Sequence, residues 1–155
     1  MISMNEMDEK EIYAKAVELL ARREHSAREL AFKLNARGCN PTQVESVLAR
    51  LQAERLQSDA RYTEVYLHQR SEKGYGPQRI RAELQERGVA EQLIAECMRS
   101  AEDEGEIDWY ERAGTAYARK FGGRPIEDLK DRAKRQRFLQ YRGFSHEQIA
   151  AVVND

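Results

Sequence analysis

Apolar positions recur along this chain at intervals of three and four residues, in three successive rounds. The first round opens with a stripe of Ile12, Ala16, Leu19 and Leu20. The second opens after Ser58 with Tyr62, Val65, Tyr66 and Gln69, where the stripe weakens towards its end. The third opens with Trp109, Ala113, Ala116, Tyr117 and Phe121. Such spacing puts one apolar face on a helix. No run alternates with the period of a strand, so the pattern predicts helices throughout and no sheet.

Each round carries the same signature, L-x-x-R-G followed by an apolar residue. It reads Leu34 to Cys39, Leu84 to Val89 and Leu139 to Phe144, with the glycines 50 and 55 residues apart. Six residues past each glycine stand Val44, Ile94 and Ile149. Nine past stand Val47, Cys97 and Val152, and ten past stand Leu48, Met98 and Val153. The physical reading is a helix that ends at Arg, a glycine free to take the left-handed C′ conformation, and a further helix that buries the later positions. The Arg suits the negative end of the helix dipole. Ser26 to Glu29 and Ser145 to Gln148 read as capping boxes, and Pro41, Pro77 and Pro125 fit first helical turns. Three repeat units of this size stack with their neighbours. The expected fold is all-α, an elongated and curved array of three tandem three-helix repeats over residues 1–56, 57–105 and 106–155. Ser100 to Asp108 reads as the link between the second and third repeats, and Gly122 to Arg124 as a turn inside the third.

Composition narrows the function. The 155 residues hold 26 basic and 27 acidic side chains, a net charge of −1, so charge balance does not mark a nucleic-acid binder. Residues 1–56 carry nine of each sign. Residues 57–107 carry seven basic and eleven acidic, and residues 108–155 carry ten basic and seven acidic. That basic excess lies in Arg124, Lys130, Arg132, Lys134, Arg135 and Arg137. On a helix, Lys130, Lys134 and Arg137 share a face able to meet phosphates or an acidic protein surface. No stretch approaches a membrane span of about 20 apolar residues, and Met1 to Lys10 is polar with no apolar signal core. A monomer in the cytoplasm is expected.

Enzyme chemistry finds little support. No phosphate-binding Gly-x-x-x-x-Gly-Lys, His-Glu-x-x-His or Cys-x-x-Cys occurs. Gly74 to Gly76 reads as a turn before a helix. His25, His68 and His146 are scattered over the repeats, and Cys39 and Cys97 occupy apolar repeat positions, so both read as small buried hydrophobes. No catalytic residue, cofactor or metal is expected.

The order and spacing of further segments resemble the RecX family of regulatory proteins, from about Tyr13 to Val153. The matching residues are Ala16 to Leu20, Arg23 to Ser26, Glu29, Leu30 and Leu34. In the second repeat they are Asp59 to Tyr62, Tyr66, Arg70, Gly74 to Pro77, Arg79, Ile80, Glu83, Leu84, Gly88 and Val89. Arg137 to Leu139, Arg142 to Ser145 and Ile149 complete them. Thr63 departs from the small residue usual there, and Arg135 stands where the sister repeats have Leu30 and Ile80. The resemblance implies an all-helical protein that binds the RecA recombinase and its filament on single-stranded DNA. It implies limited filament growth and inhibited ATPase and strand exchange, by lodging in the filament groove or capping its growing end. Arg70, Lys130, Lys134 and Arg137 are the expected partner contacts. Asp59, Arg61 and Arg79 are expected to form internal salt bridges. The alternative is a helical protein that binds DNA directly, and weak DNA contact beside RecA fits the first reading as well.

Overall fold

A computed structural model describes residues 8–153, and these form nine helices and no strand. They are α1 (Glu9–Arg22), α2 (Ala27–Ala36), α3 (Pro41–Ala53), α4 (Asp59–Glu72), α5 (Pro77–Glu86), α6 (Glu91–Asp103), α7 (Trp109–Phe121), α8 (Leu129–Arg142) and α9 (His146–Val153). Of the polar start at Met1 to Lys10, the first seven residues lie outside the described range.

Side chains mark most helix starts by accepting otherwise unpaired backbone N–H groups. Asp8 caps α1, Asn40 caps α3 ahead of Pro41, and Asp108 caps α7. Ser26 and Glu29 form the reciprocal box at α2. Ser145 and Gln148 do the same at α9, at 2.9 and 3.2 Å. Pro125 does not start a helix. Asp128 caps α8 instead, and the preceding residues run as turn and loop.

The chain divides into two units, one comprising residues 8–65 with 86–90, the other 66–85 with 91–153. In the first, α1, α2 and α3 pack on one another around Ile12, Ala16, Leu19, Leu30, Leu34, Cys39, Val44, Val47 and Leu51. In the second, α7, α8 and α9 pack likewise, burying Trp109, Ala113, Phe121, Leu139, Phe144, Ile149 and Val153. The stripe of α4 differs from its sequence reading. Val65 and Gln69 are exposed, while Tyr62, Thr63, Leu67 and Ser71 are buried. Burying polar Thr63 and Ser71 is possible because their hydroxyls donate to the carbonyls of Asp59 and His68, at 2.7 and 3.0 Å. Cys39 is buried, but Cys97 is only half-buried. The position ten past the glycine, Met98, takes the core place there.

The L-x-x-R-G turns form as the sequence suggests. Gly143 has φ of 102°, and Leu139 O accepts from both Gly143 and Phe144 N–H. Ser100 to Asp108 is only partly a link, because α6 runs on to Asp103. Behind it Ala101 O accepts from Glu106 and Ile107 N–H, with Gly105 left-handed. The same turn fifty residues earlier places Leu51 O under Leu56 and Gln57 N–H, but there the left-handed residue is Arg55, with φ of 62°.

Arg135 corrects the sequence reading most. It does not lie on an exposed basic face. It sits in the core position of Leu30 and Ile80, only 4% exposed. Four hydrogen bonds and an ion-pair contact hold its guanidinium. Asp131 takes Nε at 3.2 Å and Nη2 at 3.1 Å. The Tyr117 hydroxyl takes Nη1 at 2.7 Å, and the carbonyls of Arg124 and Pro125 accept at 2.8 and 3.2 Å. Two of these acceptors, the Arg124 and Pro125 carbonyls, belong to the non-helical segment 122–128.

Two stability predictions follow from these positions. Leu139→Asp buries an unpaired carboxylate at a fully enclosed site and should cost several kcal/mol. A wild-type melting curve for that variant would contradict the placement. Arg55→Gly should raise stability by about 0.5–1 kcal/mol, because glycine relieves the left-handed strain. A lower melting temperature for it would show that the strain is not stored there.

Candidate interaction face of the second unit

Three helices of this unit, α4, α7 and α8, end at or beside cations, and those cations collect. Lys73 follows α4, Arg119 and Lys120 close α7, and Arg142 closes α8. A hollow of about 150 Å³ is lined by Lys73, Gly74, Ala116, Arg119, Lys120, Phe138 and Arg142, with no acidic residue. Arg119 donates to Glu72 O at 3.2 Å and Arg142 to Lys73 O at 3.3 Å. The guanidinium groups are thus aimed by carbonyls, which orient them without neutralising their charge. The Phe138 ring lies among these cations: Arg142 lies 5.0 Å from its centre and Lys120 5.8 Å, distances suited to cation–π attraction.

Lys120 also lines a second, larger cleft of about 660 Å³ between the end of α7 and α8. Arg124, Lys130, Lys134 and Arg137 line it too, together with Glu127, Asp128 and Asp131. Two of the three carboxylates are committed. Asp128 caps α8, and Asp131 holds Arg135 and accepts from Glu127 N–H at 3.1 Å. The Glu127 N–H bond, with help from Arg135, holds the Asp131 carboxyl below its usual range. Among the described residues, Lys130, Lys134 and Arg137 form no salt bridge. The sequence brought these three together on one face, and the structure places them on one cleft.

Arg70 lies elsewhere. Its side chain is 20% exposed and clamps Glu83 with two bonds of 3.0 and 2.8 Å. Its guanidinium lies 3.8 Å over the Tyr75 ring, which Arg79 and Arg142 also approach at 4.5 and 4.8 Å. Burial alone would raise the Glu83 carboxyl. Hydrogen bonds from Arg70 and Tyr66 outweigh burial and hold it below the ordinary carboxylate range. Arg79 joins Glu83 at 3.5 Å and donates to Tyr141 O at 3.3 Å. Of the residues expected to pair internally, Arg61 meets Glu24 and Arg79 meets Glu83. Among the described residues Asp59 pairs with no cation, and it accepts instead from Ala27 N–H and Gln57 Nε2, at 2.8 and 3.0 Å. Sequence reasoning missed Lys73, Arg119, Lys120 and Arg142. Their signal was a basic residue in the last helical turn before a glycine, repeated at Gly74, Gly122 and Gly143.

In the first unit, His25 is buried and hydrogen-bonded on both ring nitrogens. Nδ1 lies 3.0 Å from Arg23 O, and Nε2 lies 2.8 Å from Lys33 Nζ. Burial lowers its pKa below the ordinary value, against the raising effect of the Arg23 carbonyl. The imidazole is therefore neutral: Nδ1–H donates to the carbonyl and Nε2 accepts from the ammonium. Among the described residues no group of three or more potential ligands could hold a metal ion. No described helix is long and apolar enough to cross a membrane.

Family models for the first, second and third three-helix domains of RecX match residues 13–51, 58–98 and 106–153. The regulatory protein RecX of Pseudomonas putida (strain GB-1) is 45% identical over 139 residues, covering 90% of this chain and 86% of that protein. The same-named protein of Pseudomonas entomophila (strain L48) is 45% identical, covering 90% and 87%. The crystal structure of RecX from Lactobacillus salivarius superposes with a TM-score of 0.78 at 18% identity, covering 95% of both chains. A second crystal structure of regulatory protein RecX gives 0.77 at 19% identity, covering 95% of this chain and 73% of that one. These likenesses extend the agreement in fold across the described chain.

A His whose folded-state pKa is lowered contributes stability that is complete above about pH 6.5 and is lost as pH falls below it. The melting-temperature gap between wild type and His25→Gln should therefore narrow between pH 7.5 and pH 5.5. A constant gap would mean that His25 protonates equally in the folded and unfolded states.

Proposed function

This chain belongs to the RecX family of regulatory proteins, and on that premise we propose that it binds the RecA recombinase and its filament on single-stranded DNA. Binding limits filament extension and inhibits the ATPase and strand-exchange activities. It acts as a monomer in the cytoplasm and needs no cofactor. The observation that carries this reading is the ordered match of all three RecX domain models along the chain. The cleft of Lys130, Lys134 and Arg137 supports a binding role, because cations without internal partners add to electrostatic attraction for an acidic surface. Arg70 is assigned a positioning part: it holds Tyr75 and Glu83 rather than reaching out to a partner.

The same cleft favours a second reading, direct DNA binding, since phosphates suit it equally. The two differ in salt response. Binding to naked DNA would weaken by roughly 0.7–0.9 log units per log unit of salt for each phosphate neutralised. RecA ATPase on single-stranded DNA, titrated with this protein at fixed salt, decides between them. Inhibition well below the amount that coats the DNA is expected, and inhibition only once the DNA is coated would transfer the assignment to DNA binding. Lys130→Glu combined with Lys134→Glu should keep the wild-type melting curve and weaken inhibition about tenfold or more, a loss of about 1.4 kcal/mol. Undiminished inhibition by this double variant would remove the cleft from the interface.

A further inference from the structure

The L-x-x-R-G turn occurs three times, and two of the copies are occupied. In the first unit, Ser26 Oγ at the start of α2 donates to Arg87 O at 2.8 Å. Arg28 lies so close that a Cβ on Gly88 would stand 2.6 Å from its Cβ. In the second unit, Gly76 N–H at the start of α5 donates to Arg142 O at 2.7 Å, and Gln78 N–H donates to Gly143 O at 2.9 Å. A Cβ on Gly143 would stand 2.6 Å from Arg79 N. Ser26 and Gly76 are fifty residues apart and hold equivalent places, as Arg87 and Arg142 do in the repeat. The turn is thus a seat for a helix start: carbonyls at a negative helix end meet donors at a positive one, and glycine lets the backbones approach.

The third copy of the seat is built but open. At 34–39, Gly38 has φ of 85°, and Arg37, Gly38 and Cys39 N–H bond back to Leu34 and Asn35 carbonyls. Arg37 and Gly38 are exposed, and no described atom lies within 4 Å of a Cβ placed on Gly38. No described residue donates to the carbonyls of Arg37 or Gly38. Among the described residues, the third repeat does not carry over the start of the second helix that fills the other two seats. The residues that correspond to Gly76 and Gln78 in the third repeat are Asp131 and Ala133, which lie inside α8. The Asp131 N–H is already taken by Asp128 at 2.8 Å. The second helix of the third repeat therefore cannot offer another copy the donors that Gly76 and Gln78 supply.

We propose that the turn at 34–39 is a docking seat for the first turn of a helix on a partner protein. Its occupant presents at its cap either a hydroxyl, as Ser26 does, or the free N–H groups of a glycine start, as Gly76 and Gln78 do. Resting on the reading given above, the partner is the RecA recombinase in its filament.

Gly38→Asn tests the seat. Asparagine tolerates the left-handed conformation and has open space here, so the fold is kept while the seat is filled. Two measurements use the full chain with RecA assembled on single-stranded DNA: filament affinity of wild type and variant, and amide hydrogen exchange of wild-type residues 34–40 free and bound. Protection of 34–40 on binding and about tenfold weaker binding by Gly38→Asn are expected. Unchanged affinity of a folded Gly38→Asn, or a 34–40 segment that stays unprotected in the wild-type complex, would overturn the seat and leave the family reading standing. Should the variant misfold, the exchange measurement on the wild type decides alone. Failure of the wild type to bind the filament would bring down both.

Discussion

One hydrogen bond organises this protein: the start of one repeat's second helix donating to the Arg carbonyl in the Gly turn of the next. It joins a positive helix end to a negative one, and it needs the two backbones close together. Gly143 meets the backbone of Arg79, and Gly76 meets the backbone of Gly143 and Phe144. A side chain at these places would displace backbone atoms rather than a flexible tip, so proximity requires glycine at both, and φ requires it at Gly143 as well. The motif therefore both ends a helix and receives another.

Charge in this chain divides by what holds it. Arg135 is enclosed, and five acceptors and the Tyr117 and Phe121 rings surround it. It replaces an aliphatic core residue, and two carbonyls of the loop at 122–128 accept from it. Arg70 and Arg79 share Glu83 and the Tyr75 ring. Arg119 and Arg142, by contrast, donate to carbonyls and, among the described residues, meet no carboxylate, and Lys130 and Lys134 line an open cleft. Only the last two kinds keep their full charge for a partner, because an ion pair within the chain cancels most of what a partner would feel.

The first unit solves a different problem, polar groups beside the core. Gln57 occupies the place held by Ile107 fifty residues on, and both are 2% exposed. The glutamine is accommodated by donating to His25 O and Asp59 and accepting from Gln52. Asp59 in turn accepts from the first backbone N–H of α2. A buried network of this kind is tolerable when its members are satisfied, and here it ties the start of α4 to the start of α2.

How much of this was legible in the residues themselves follows from the range of the forces involved. Helix periodicity, the capping boxes at Ser26 and Ser145, the Gly turns and the order of the repeat motifs are local, so the sequence by itself determined the all-helical repeat and its family. Likewise, the spacing of Lys130, Lys134 and Arg137 sufficed to put them on one face, because a single helix carries all three. Tertiary structure alone decided that Arg135 is buried, that Pro125 lies in a loop, and that Leu67 rather than Val65 faces inward. It also decided that Arg70 is bound to Glu83 while Arg119 and Arg142, among the described residues, form no salt bridge. Each of those outcomes depends on acceptors from distant segments, and a linear pattern records which residues can bond but not which carbonyl or carboxylate arrives within 3 Å.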